Sequence, residues 1–154
     1  MASGSALPLG AFCSSSARWL ALRLPPGCDV RDGLLALARE QHIAAGAIVS
    51  AVGSLTQAHL RHAGATAASV LPGPWEIVSL SGTLATDGLH VHLALSDAAG
   101  QCIGGHLMTG CVVHTTLELV IADLDGLEFD RAPDARTGYR ELAIRCTRGE
   151  TGQG

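Results

Sequence analysis

Between Trp75 and Asp123 the sequence is cut into apolar runs by short turns. Trp75 to Leu84 stops near Asp87-Gly88, a hairpin dipeptide, because aspartate and glycine tolerate the backbone that a tight turn needs. Leu89 to Leu95 stops at Asp97-Ala98-Ala99-Gly100, Gln101 to Leu107 returns, and Gly110 to Asp123 is a long strand. Successive runs joined this tightly are hairpins, so the middle of the chain is an antiparallel meander.

The flanks add one helix and further strands. Ala17 to Leu24 alternates like a strand and ends at Pro25-Pro26-Gly27. Asp29 is a good helix N-cap, with Asp32 adding favourable charge to the first turn. Val30, Leu34, Leu37 and Ala38 recur at helical spacing, and the helix is predicted to end before Gly46. Ala47 to Val52 reads as a strand that breaks at Gly53-Ser54, and Leu55 to His62 as a further strand turning back. A loose segment through Pro72-Gly73-Pro74 precedes Trp75. After Asp125-Gly126, residues up to about 138 read as loop, and Tyr139 to Cys146 as the last strand. The fold class is α+β, an antiparallel or mixed sheet with one principal helix packed on it. Residues 1–16 and 148–154 read as flexible tails around one domain, 17–147.

Of 154 residues, 47% are hydrophobic and 16% charged, too apolar for a disordered chain and apolar enough to suggest burial against copies of itself. The net charge is −4, and all ten basic side chains are arginine. Without a basic stripe and with few aromatics, direct nucleic-acid binding is not expected. Cys13, Cys28, Cys102, Cys111 and Cys146 are scattered, odd in number and never in a C-x-x-C pair. Free thiols in a reducing cytoplasm are expected. No apolar run reaches membrane-spanning length, and Ala6 to Cys13 lacks the basic flank of a signal peptide.

Three histidines carry the chemistry. His90 and His92 lie two apart in an alternating run, so both imidazoles leave the same side of the strand. His106 arrives from the returning run. Simple pairing about Asp97–Gly100 sets His92 opposite Gly105, so a one-residue bulge at Gly104-Gly105 is expected to bring His106 beside His92. Three neutral ring nitrogens from neighbouring strands suit a divalent transition metal, zinc first, with a coordination position left for a small ligand. Glu118 is a charge in an apolar strand and needs a partner. It is the candidate acid/base, with a supporting contact to a ligating histidine or a part in a structural ion pair as the alternatives. His114 shares its face. His42 at the helix end and His59 and His62 beside Arg61 are read as structural or solvated, and Gly53-Ser54 as either a ligand-contacting turn or a plain strand turn.

The runs Ser50-Ala-Val-Gly-Ser-Leu55, Glu76-Ile-Val-Ser-Leu-Ser-Gly-Thr83, His90-Val-His-Leu-Ala-Leu-Ser-Asp97, Gly104-Gly-His-Leu107 and Thr116-Leu-Glu-Leu-Val-Ile121 resemble the plants-and-prokaryotes-conserved (PPC) domain. That resemblance implies an α+β domain, a homotrimer, and metal ligands at His90, His92 and His106, as in prokaryotic members thought to hold a metal. In plants the domain accompanies AT-hook segments that grip DNA, and this chain has no hook. The fold is also similar to that of acetolactate decarboxylase, whose zinc is held by three histidines. The resemblance thus implies a cytoplasmic, trimeric, metal-binding protein acting on or binding a small oxygen-rich ligand. The alternative is a non-enzymatic oligomerisation or regulatory module.

Overall fold

The computed structural model describes residues 13 and 15–147. The tails expected over 1–16 and 148–154 lie outside them, apart from Cys13, Ser15 and Ser16. In chain order the elements are β1 (Ala17–Leu24), α1 (Val30–Glu40), β2 (Gly46–Arg61), β3 (Ser69–Ala85), β4 (Gly88–Ser96), β5 (Cys102–Leu107), β6 (Val112–Leu124), β7 (Leu127–Pro133) and β8 (Arg140–Cys146). All strand pairings are antiparallel. The α+β class with a single helix is as the sequence indicated.

The helix starts where the side chain of Asp29 can satisfy free amides. One carboxylate oxygen accepts the Asp32 N–H at 2.9 Å. The other accepts the Gly110 N–H at 2.6 Å and so ties the helix to the start of β6. Val30, Leu34 and Ala38 line one face of α1 and are fully buried. Burying a side chain the size of Val or Leu stabilises the fold by about 1.5–3 kcal/mol.

Six strands form one sheet in the order β1-β6-β2-β3-β4-β5, and the far end of β2 also reaches β5 through Leu60↔Leu107 and Arg61↔His106. The segment β2-β3-β4-β5 therefore closes on itself. Its inner face, with Leu55, Leu60, Leu80, Leu84, Leu93 and Leu107, packs in one core with Val30 and Leu34 of the helix. A two-stranded ribbon, β7-β8, sits apart from this sheet. It is tied back by the Phe129 N–H, which donates to the Ala44 carbonyl at 2.9 Å.

Four expectations need correction. Ala47–Val52 and Leu55–His62 are not two strands, because β2 runs straight through Gly53-Ser54. Gly53 is there for close approach, since a Cβ on it would lie 2.2 Å from the Thr116 carbonyl oxygen. β3 begins at Ser69, so Pro72-Gly73-Pro74 lies within a strand, where the β2–β3 register shifts between Leu55 and Gln57. Residues 127–133 are a strand rather than a loop, paired residue by residue with β8. Finally, Cys13 and Cys146 form a disulfide with Cα atoms 6.3 Å apart, within bridging range. Their separation of 133 residues leaves no local spacing signal. Of the free thiols Cys111 is buried, Cys28 half-buried and Cys102 exposed.

Candidate metal centre

In β4 the side chains of Val91, Leu93 and Leu95 turn into the core. Period-two alternation then sends His90 and His92 outward together. β5 lies antiparallel to β4, with His92↔His106, Leu93↔Gly105 and Ala94↔Gly104 in unbroken register. No bulge interrupts Gly104-Gly105, which corrects the expected route but keeps its outcome. The shift comes from the turn, which closes over Asp97 to Gln101. The Asp97 N–H donates to the Gln101 carbonyl at 3.0 Å. One oxygen of its carboxylate accepts the Ala99 and Gln101 N–H groups at 2.9 and 2.8 Å. One residue more in the loop moves the whole register by one.

The three imidazoles converge. Ring centroids are 5.2 Å apart for His90–His92, 5.1 Å for His90–His106 and 5.5 Å for His92–His106. One nitrogen from each lies within 4.8 Å of the others. Their chemistry fits a divalent metal. Burial first, and then His90, Arg61 and His92, push the His106 pKa down to about 4. His90 is lowered by burial and then by Arg131 and His92. Both rings are thus neutral near pH 7 and carry free lone pairs, the form that ligates metal.

A cleft of about 350 Å³ opens beside the cluster, lined by Ser81, Thr83, His90, His92, Arg131 and Glu141 among others. Thr83 is the register partner of His90, and the guanidinium of Arg131 donates to its hydroxyl at 3.2 Å. Reading the sequence missed Arg131 and Glu141, because the first was assigned to a loop. The available signal was the alternation of Leu127 and Phe129 with charged neighbours after the Asp125-Gly126 turn.

The other candidates lie elsewhere. Glu118 is exposed on β6, opposite Arg23 and Val52. On β2, Val52 stands beside Glu118 and Arg61 beside His106, roughly 30 Å of strand apart at about 3.3 Å per residue. Glu118 forms no ion pair among the described residues. His114 is exposed, and its carbonyl accepts the Ser54 hydroxyl, so Ser54 holds β2 to β6. His42 follows the helix at positive φ. His59 and His62 each donate Nδ1–H to a carbonyl, of Thr109 at 2.6 Å and Gly104 at 3.0 Å. A carbonyl can only accept, so both rings carry that proton and act structurally.

Known proteins share this architecture. A hypothetical protein of Salmonella has a solved structure 48% identical in sequence, covering 87% of this chain and 97% of its own, with a TM-score of 0.86. A metal-containing protein of Archaeoglobus fulgidus is 26% identical, covering 87% of this chain and 99% of its own, with a TM-score of 0.76. The bifunctional protein GlmU of a Synechococcus strain is 50% identical over 129 residues, 84% of this chain and 20% of the relative. The AT-hook motif nuclear-localized protein 16 of Arabidopsis thaliana is 32% identical over 127 residues, 77% of this chain and 48% of the relative. The chain therefore spans about a fifth of the GlmU relative and about half of the plant one. The profile of the Plants and Prokaryotes Conserved (PCC) domain matches residues 12–125, the whole six-stranded sheet and all three histidines, and the chain belongs to that family.

Proposed function

We propose that this chain is a metal-binding member of its family, with His90, His92 and His106 holding a divalent ion, zinc first, and the adjoining cleft receiving a small oxygen-rich molecule. The observation that carries this is the convergence of three imidazoles within 4.8 Å beside an open cleft. The metal-containing Archaeoglobus protein of the same fold supports it. When bound, such an ion polarises a ligand oxygen. Glu118, the acid/base candidate from the sequence, lies roughly 30 Å of strand from the histidines, and no proton step is assigned to it. No helix among the described residues is long and apolar enough to cross a membrane. The cytoplasm is the proposed compartment.

A homotrimer is part of the proposal. Trp19, Val52 and Val78 are 63%, 63% and 58% exposed on the sheet, an apolar area that association would cover. The decisive experiment is elemental analysis of protein purified without a histidine tag. One equivalent of metal per chain in the wild type and none in His92→Ala are expected. Unchanged metal content in the variant refutes the assignment.

A second reading is favoured by the plant relative, whose name carries an AT-hook motif. In it the domain is a regulatory module that recruits partner proteins, and its trimer surface survives removal of the metal. Direct DNA contact by this chain is not part of either reading. A bare-duplex binding assay between 50 and 200 mM salt checks this. Phosphate contacts weaken steeply over such a range, and salt-dependent binding would restore the DNA reading.

A further inference from the structure

Arg131 is the one strongly charged donor that projects from the β7-β8 ribbon into the cleft beside His90 and His92. It is half-buried, and among the described residues no carboxylate lies in ion-pair range of it. Its one side-chain hydrogen bond there is to a neutral hydroxyl, Thr83. A half-buried guanidinium that faces an open cleft keeps donors free for an anion to take.

The surroundings carry charge of both signs. Arg61 is the register partner of His106. Of the acids near these side chains, Glu141 lines the cleft itself, while Asp87 and Asp130 line the smaller pocket that His90 and Arg131 share. A divalent ion on the histidines raises the positive charge further. With that ion bound beside Arg131, the cleft itself carries a positive excess on a chain of net charge −4, and an anionic ligand balances it.

We infer that the cleft binds a small monocarboxylate carrying a second oxygen, its carboxylate paired with Arg131 and the other oxygen directed to the metal site. The planar fork of arginine matches a carboxylate through two parallel hydrogen bonds. Glu141 lines the same cleft and disfavours a ligand with a second negative charge, which sets a monocarboxylate apart from inorganic phosphate. A hydroxyl on the ligand would in turn find Glu141 as an acceptor. This inference rests on the metal reading above and adds to it the ligand class and its anchoring residue.

The test uses the whole chain loaded with Co²⁺, whose visible absorption reports both uptake of the ion and any change in its surroundings. L-lactate, lactamide and inorganic phosphate are the probes. Lactate is expected to bind at least about tenfold more tightly than lactamide, the worth of one charge-assisted pair. Arg131→Gln is expected to bring the two within about twofold while leaving cobalt uptake at one per chain, and Arg131→Lys to keep part of the difference. Equal binding of lactate and lactamide by the wild type overturns the inference, as does tighter binding of phosphate or an unaltered ratio in Arg131→Gln. The wild-type comparison stands even if that variant fails to fold. If the protein takes up no cobalt, the metal reading fails by itself. The anchor is then tested by the same lactate-to-lactamide ratio on metal-free protein, read by ligand-observed NMR, where Arg131→Gln must again abolish the difference.

Discussion

His106 stands directly across the β4–β5 ladder from His92, with ring centroids 5.5 Å apart. Backbone hydrogen bonds set this relationship, so two of the three nitrogens are positioned before any metal arrives. His90 follows from the same strand at period two. A site built on paired strands is held more precisely than one on loops.

That preorganisation crowds imidazole rings together, and pH should reveal it. In the metal-free fold the His106 pKa is about 4, against 6.5 for an unperturbed ring. Between those values the unfolded chain binds more protons, so stability rises with pH there. The contribution of this ring is intact above pH 6.5, is lost as pH falls toward 4, and changes no further below. The ring is only half-buried, so solvent screening limits the loss to about 1 kcal/mol, or about 3 °C in Tm for a chain of this size. Melts followed by circular dichroism at pH 7 and 4.5 are expected to show a larger drop for the wild type than for His106→Gln. Equal drops would remove the shift.

The register that pairs His92 with His106 depends on Asp97. Its carboxylate accepts two turn amides, from Ala99 and Gln101. Asp97→Ala is expected to cost about 1 kcal/mol in urea unfolding, because water replaces part of what is lost. It should also speed amide exchange at Gly104 and Gly105 and weaken metal binding, since a slip of one residue turns His106 to the opposite face. Wild-type exchange rates in the variant would show that the ladder holds its own register.

These same residues show what a sequence can and cannot disclose. Alternation made β4 and β5 readable, because a half-buried strand imposes period two on its residues. The convergence of the histidines was readable too, though through the wrong device. Loop length and a bulge both shift register by one, and composition alone does not separate them. The β7-β8 ribbon was half hidden. Leu127 is its one buried hydrophobic residue, so the apolar alternation of β7 stops at Phe129, and Arg131 stayed out of view with it. Glu118 stood out as a charge among apolar neighbours. β6, however, buries only one face of that stretch, and the outward face accepts a carboxylate without calling for a partner. The Cys13–Cys146 pair joins the two ends of the fold, and nothing local announces such a contact.

Close packing of backbones under the histidines gives a sharper test. A Cβ added at Gly82 would lie 2.0 Å from the His90 carbonyl oxygen and 2.6 Å from the Val91 Cα, at φ +154°. Gly82→Ala must therefore push β3 away from β4 just where His90 is presented. We expect a loss of about 3 kcal/mol or more in denaturant midpoint analysis and markedly weaker metal binding. Gly88→Ala is the control. Nothing lies within 4 Å of its added Cβ, and a change within about 0.5 kcal/mol is expected. Similar behaviour of the two variants would mean that the β3–β4 ladder is looser than its register implies.

Thr116 offers a change in the opposite direction. Its hydroxyl is buried and has no hydrogen-bond partner among the described residues. It follows Thr115, which holds φ +74°, where β6 departs from regular pairing with β2 between Gly53 and Leu55. A buried hydroxyl without a partner forfeits its hydration and gains nothing in exchange. Valine has the same branched shape without the polar atom, so Thr116→Val is expected to stabilise the fold by about 1 kcal/mol in urea unfolding. The irregularity itself should persist, because it comes from the backbone of Thr115 and the close approach of Gly53, neither of which the substitution touches. A loss of stability instead would mean that the hydroxyl is bonded in solution, with an internal water or a neighbouring copy of the chain as its partner. Repeating the melt over a tenfold range of protein concentration separates those two, since only the second depends on association.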